Sequence, residues 1–232
     1  MGLVKSKGNM YDWVTHMHTH LAGECSHKCS YCYVQTGMAR MSGKYKGELR
    51  LVDSEFSVLY GKSRIIFIEH MNDLFAQSVP SEWIKKILFH CCDWQDNQYV
   101  FQTKNPFNAL NFSSKFPNNF IIGTTIETNR NIVLSEAPAP VIRFLGLSRW
   151  KQEGKKVFVT IEPVMDFDID ILFGWLKQIK PEFVNIGADS KGCKLPEPSA
   201  DKILKLIELL QQDKIEIRKK VNLKRLNVLM EK

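Results

Sequence analysis

The sequence predicts an α/β fold: a partial, TIM-like (β/α)6 barrel in a single domain. Three observations predict it. Six short apolar, β-branched runs recur along the chain, amphipathic helical stretches separate them, and the runs do not alternate cleanly between polar and apolar residues. That combination argues for βαβ units and a parallel sheet whose strands are covered on both faces.

The predicted strands are Trp13–His20, Arg64–Glu69, Tyr99–Thr103, Phe120–Ile126, Val157–Ile161 and Phe183–Ile186. Pro80-Ser81 opens a helix, with Pro near the first turn, Ser near the cap, and Trp83, Ile84, Ile87, Leu88 and Cys91 at helical spacing. Residues 141–153 are read as the next helix. Asp168 then precedes the stripe Ile169, Leu172, Leu176 and Ile179, and Ser199 precedes Ile203, Leu206, Ile207 and Leu210. Six β/α units fall two short of a closed barrel, so the barrel is expected to be open. Its chemistry should gather at the C-terminal tips of the strands.

A length of 232 residues suits one such domain, and the composition, 44% hydrophobic and 25% charged, excludes a disordered or collagen-like chain. Residues 1–212 are assigned to the barrel and 213–232 to a basic tail, read as an extra helix or a partner-binding segment. Ser42–Gly47 and Gly187–Ser199 are the expected surface loops. No apolar run is long enough to cross a bilayer and the first residues lack a signal-like stretch, so a cytoplasmic location without membrane attachment is expected.

The net charge of +7 is uneven: residues 1–50 hold 7 Lys and Arg against 3 Asp and Glu, and residues 213–232 again hold 7 against 3. Basic ends around a near-neutral middle are compatible with a nucleic-acid partner.

The strongest signal is Cys25-Ser-His-Lys-Cys29-Ser-Tyr-Cys32, a C-x3-C-x2-C loop directly after the first predicted strand. Three thiolates can each hold one iron of a [4Fe-4S] cluster, leaving the fourth iron open to a chelating ligand. The competing reading is a structural zinc site completed by His27. It lacks the second cysteine pair such sites use. Cys91 and Cys92 read as core thiols. His16, His18 and His20 alternate, which would put them on one face of a strand. An HxH pair there suits a metal-dependent hydrolase, which needs further histidines when only His70 and His90 remain, so polar lining of the barrel is the preferred reading.

Polar residues that end the apolar runs, Glu69, Thr103, Lys104, Thr125, Glu127, Glu162 and Asp189, should converge near the cysteine loop, because parallel strands bring their C-terminal ends to one face. A zwitterionic cofactor needs a cation for its carboxylate, which suits Lys104. It also needs acceptors for its ammonium and hydroxyls, which suits Asn72, Asp73, Thr125 and Glu127. Glu162, a carboxylate before Pro163, is a candidate for the same site. Cys193, in a Gly/Pro loop after the last strand, is a candidate hydrogen-atom donor.

The segment GECSHKCSYCYV resembles the radical S-adenosylmethionine superfamily. Met71–Phe75, Gln102–Lys104, Gly123–Glu127, Thr160–Pro163 and Asn185–Gly187 look, in that order, like a little-characterised family within it that has phage-encoded members and is distantly similar to spore photoproduct lyases. The resemblance implies cluster ligation by Cys25, Cys29 and Cys32, binding of S-adenosyl-L-methionine, and its reductive cleavage to methionine and a 5'-deoxyadenosyl radical. It further implies an external electron donor and a place for Tyr31 beside the adenine. The Gly-Gly-Glu turn common in the superfamily is replaced by Ile68-Glu69-His70-Met71-Asn72-Asp73. A non-catalytic iron-sulfur or zinc nucleic-acid-binding protein is the alternative class.

Overall fold

The computed structural model describes residues 2–6, 11–36 and 43–228. It packs as two compact units, Met1–Ile122 with Ser135–Ala137, and Gly123–Leu134 with Pro138–Lys232.

In the first unit, β1 (Val4–Lys5) runs antiparallel to β2 (His16–His18). A small antiparallel pair follows, β3 (Leu21–Ala22) with β4 (Arg50–Leu51), and the short helix α1 (Tyr33–Thr36) lies between them in sequence. β5 (Ile65–Ile68) is parallel to β2 with His18 opposite Ile68, and β6 (Gln98–Gln102) is parallel to β5 with Phe67 opposite Val100. Ile66, Phe67, Ile68, Tyr99, Val100 and Phe101 are all buried, so both faces of these strands are covered and alternation has no role in the sequence. Helix α2 (Ser81–Cys92) buries Ile84, Ile87, Leu88 and Cys91. Its cap differs from the expectation: Pro80 takes the N-cap position and no side chain caps the helix, so Ser81 is simply the first helical residue. The five-residue α3 (Pro106–Leu110) has Asn105 accepting from the Asn108 amide and Pro106 at its start, a cap the sequence reading overlooked. Phe75, Phe101, Phe116 and Phe120 pack together, Phe116 and Phe120 with centroids 4.6 Å apart.

Strand β7 (Phe120–Thr125) neighbours β6, and the division between the units falls within it. In the second unit the order runs β7, β8 (Val157–Ile161), β9 (Phe183–Ile186), β10 (Glu216–Lys219). β8, β9 and β10 are parallel, with Val159 opposite Val184 and Ile217 opposite Val184 from the other side. Helices α4 (Pro140–Gln152), α5 (Ile169–Ile179) and α6 (Ala200–Gln212) connect them. The Ser199 hydroxyl caps α6 at the Lys202 amide, and Ile203, Leu206, Ile207 and Leu210 are buried, each worth about 1.5–3 kcal/mol relative to exposure. Asp168 does not cap α5, because its carboxylate is engaged by Arg130 and Asn129. Gly123 is required by packing: a Cβ there would lie 2.4 Å from the Phe158 ring.

The six expected strands are all present as a mostly parallel α/β sheet, as the fold class required. The first is shorter than expected, since pairing ends at His18. The described part of the basic tail, 213–228, forms no α-helix: it supplies β10 and a 3-10 turn at Val221–Leu226. No helix of the described residues is long and apolar enough to cross a membrane.

Candidate cysteine-loop site

The loop after β3 carries Cys25, Cys29 and Cys32 as free, half-buried thiols. Lys28 adopts φ 43°, a left-handed conformation uncommon for a side-chain-bearing residue, and the Cys32 amide bonds the Cys29 carbonyl at 3.0 Å. The Cys25 thiol receives backbone N–H groups of His27 and Asp73, but burial first and the Asp73 charge second push it up to about 12. It is therefore a neutral thiol at neutral pH until a metal displaces its proton.

Asp73, at the end of the segment following β5, fastens the loop. Its Oδ2 accepts from His27 Nε2 at 2.8 Å and from the Lys104 amide at 2.7 Å, and its Oδ1 accepts from Thr103 Oγ1 at 2.7 Å and the Phe75 amide at 3.0 Å. Burial alone would raise this carboxyl; the partnership with His27, then Thr103 and Lys104, reverses that and holds it below the usual range. With both oxygens taken twice, Asp73 organises the site. Its neighbour Asn72 is different: Oδ1 is buried with no hydrogen-bond partner, while Nδ2 reaches the Gly23 carbonyl at 3.5 Å. An orphaned buried acceptor is costly unless a ligand supplies the donor.

Lys104 places its ammonium 3.1 Å from Cys29 Sγ and 2.5 Å from the Tyr31 hydroxyl, over the Tyr31 ring. Tyr33, on α1, bonds the His70 carbonyl through its hydroxyl. Six of the expected site residues, Cys25, Cys29, Cys32, Tyr31, Asp73 and Lys104, thus meet in one place. Glu69 does not join them. It has φ 57°, and its carboxylate turns back to accept from the His20 and Leu21 amides.

In the second unit, buried Glu127 is paired with Arg143 Nη1 at 2.7 Å, and the same guanidinium donates to the Thr125 and Pro138 carbonyls. Glu162, joined to Pro163 by a cis peptide, accepts from Asn222 at 3.0 Å and pairs with Lys220 at 2.9 Å. It also lies under Gly187, where a Cβ would come within 2.7 Å of its carboxyl. Lys220 and Asn222 went unread in the sequence, having no signal beyond membership of a basic tail. Asp189 accepts from the Lys191 and Cys193 amides; burial, then the Asp189 charge, raise the Cys193 thiol.

The family model described as "Protein of unknown function (DUF5131)" matches residues 10–170, well over half of the chain. The chain belongs to the DUF5131 family. No curated protein sequence matches it. Among solved structures, this DUF5131 chain is similar to a spore photoproduct lyase variant, with TM-score 0.66 and 12% identity over 93% of this chain and 80% of that one. It is also similar to spore photoproduct lyase complexed with dinucleoside spore photoproduct, with TM-score 0.65 and 12% identity over 91% and 78%. Streptococcus suis SuiB bound to the precursor peptide SuiA gives TM-score 0.63 and 11% identity over 88% of this chain and 48% of its own, so the chain spans about half of SuiB. At these identities the likeness is one of fold. It bears out the α/β fold expected from the recurring strands and helices, and the likeness to spore photoproduct lyase.

Proposed function

We propose that this chain is a radical S-adenosylmethionine enzyme whose Cys25, Cys29 and Cys32 ligate three irons of a [4Fe-4S] cluster. The observation that carries the reading is the cysteine loop with a cation at Cys29 and an orphaned acceptor at Asn72. The donor set fits the cluster better than a single ion. Three thiols on one loop leave one iron of a cluster open, and His27, the histidine that would complete a zinc site, has its Nε2 engaged by Asp73 at 2.8 Å. When bound, the cluster and S-adenosyl-L-methionine would supply a 5'-deoxyadenosyl radical, with methionine as the other product, for each electron delivered by an external donor.

The chain's own residues do the rest. Lys104 binds the carboxylate of the cofactor, Asn72 Oδ1 accepts from its ammonium, and the Tyr31 backbone adjoins its adenine. Asp73 acts as a positioning residue, since it joins the loop through His27 to the strand tips through Thr103 and Lys104. Thr125, Glu127 and Glu162 are assigned to cofactor binding, with Glu162 set by Lys220 and Asn222. Cys193, whose thiol is raised by burial and then by the Asp189 charge, is assigned as the hydrogen-atom donor. An external electron donor is needed.

A nucleic acid or nucleotide is the proposed substrate class. Spore photoproduct lyase binds a dinucleoside photoproduct, and the chain's ends are basic. In the tail, Arg218, Lys220 and Arg225 are engaged by Glu216, Glu162 and Glu197, which reduces the charge offered to a polyanion. Residues 1–212 are proposed as the catalytic body and the remainder as a structural addition through β10.

Air-free reconstitution with iron and sulfide, then dithionite and S-adenosyl-L-methionine, tests the reading: 5'-deoxyadenosine forms if it is right, and none forms from a non-catalytic iron-sulfur or zinc protein. Nucleic-acid affinity, if present, should fall steeply with added salt.

A further inference from the structure

A second cluster of ligating groups, independent of the cysteine loop, lies in the core of the first unit. His18 and His20 come from β2 and the segment after it, His90 from the last turn of α2, and all three are buried. Among the described residues this is the trio whose donor atoms lie within 4.8 Å of one another.

The hydrogen bonds fix which nitrogen of each ring faces inward. His20 Nδ1 lies 2.9 Å from Glu69 Oε1, and Glu69 already accepts the His20 and Leu21 amides, so it acts as an acceptor and the proton sits on Nδ1. His90 Nε2 lies 3.2 Å from the Val58 carbonyl, which only accepts, so the proton sits on Nε2. His18 Nε2 lies 3.1 Å from Glu55 Oε2, whose other oxygen takes Lys44 Nζ, so the proton again sits on the outer nitrogen. Each neutral ring therefore turns a bare nitrogen inward. His20 Nε2 and His90 Nδ1 face each other at 3.0 Å with no proton between them. The Tyr60 hydroxyl lies 2.7 Å from His18 Nδ1 and 3.2 Å from His20 Nε2, yet has one proton to give. Three inward lone pairs against one donor is a deficit that a cation removes.

We propose that His18, His20 and His90, with the Tyr60 oxygen as fourth donor, bind one divalent transition-metal ion, zinc by chemistry, in a closed structural site. Neutral imidazoles suit zinc, and each ring is already oriented through its outer N–H by Glu55, Glu69 or a backbone carbonyl, the arrangement that supports metal-bound histidine. Tetrahedral zinc with bonds near 2.0–2.1 Å places donors about 3.3–3.4 Å apart; His20 and His90 at 3.0 Å and the Tyr60 contacts at 2.7 and 3.2 Å lie near that spacing, and the three imidazole donors lie within 4.8 Å of one another. The carboxylate of Glu69 offsets one of the two positive charges, and Glu55, shared with Lys44, lies beside the site. The ion would tie β2, the turn at Asp53–Ser57, and α2 together.

The test uses the full chain with C25A/C29A/C32A, which removes the cluster ligands, so that this proposal and the cluster reading fail separately. After exposure to zinc and dialysis, one equivalent of zinc is retained. Cobalt in its place gives visible d–d bands without sulfur-to-cobalt charge transfer. His20→Gln and His90→Gln abolish retention, and Glu69→Gln weakens it about 10–100-fold. The proposal is overturned if the chain lacking the three loop cysteines holds no stoichiometric zinc, if the cobalt spectrum shows thiolate ligation from the remaining Cys91, Cys92 or Cys193, or if folded histidine variants bind as before. Should the histidine variants not fold, the stoichiometry and the cobalt spectrum of the parent decide alone. Should the parent not fold, cobalt titration of the intact chain decides: a population without thiolate charge transfer supports the site, and its absence refutes it.

Discussion

The cysteine loop and the histidine cluster belong to the same unit and both gather metal-ligating side chains, but they are built oppositely. The thiols are half-buried on an irregular loop with a left-handed residue in it, fastened by Asp73 and edged by an orphaned acceptor on Asn72. The histidines are buried, with every outer nitrogen already engaged. On the two proposals made above, the difference is that between an open centre that admits a second molecule and a closed one that holds an ion.

The sharpest way to break the comparison is to remove the cysteines. Cys29→Ala is expected to abolish cluster iron and cofactor cleavage, measured by iron content and 5'-deoxyadenosine, while leaving zinc at the histidines unchanged. Loss of both would mean the two sites are one. Next in size, Glu127→Ala should cost about 3–5 kcal/mol by urea denaturation, because it strands buried Arg143. An effect below 1 kcal/mol would mean that the pair relaxes into solvent. Lys104→Met should raise the KM for S-adenosyl-L-methionine about 10–150-fold, the loss of one hydrogen bond to a charged group, with a smaller change in kcat. An unchanged KM would remove Lys104 from the cofactor. Gly187→Ala should cost about 1–3 kcal/mol as Glu162 is displaced.

The smallest effect expected is one of pH. Asp73 is held below its ordinary value of 3.8, so its contribution to stability is complete above that value and is lost as pH falls through the lower folded value. The difference in urea midpoint between the parent and Asp73→Asn should therefore shrink on acidification below 3.8. A constant difference would show that the carboxylate charge is not what fastens the loop.

What was legible in the sequence follows from this contrast. Six strands were readable because burial on both faces makes them apolar runs, such as Val157–Ile161 with every residue buried. β10 was not, because Glu-Ile-Arg-Lys is half-exposed and three of its four residues are charged, and the two-residue strands β3 and β4 leave no pattern. The three cysteines were legible from spacing along one loop. Their partnership with Lys104 followed from the rule that parallel strands end on one face. The histidine cluster was not: it needs His90 to turn inward from α2 and Glu69 to reverse through a left-handed backbone, and neither is written in local periodicity. The engagement of Glu162 by Lys220 and Asn222 depends on the tail returning as a strand, so it too was invisible.

The most direct measurement is a paired one on air-free, iron- and sulfide-reconstituted protein: product formation with dithionite and S-adenosyl-L-methionine, for the parent and for C25A/C29A/C32A. The account predicts 5'-deoxyadenosine and methionine from the parent and neither from the variant. A parent that binds no iron, or a variant that still cleaves the cofactor, would contradict it.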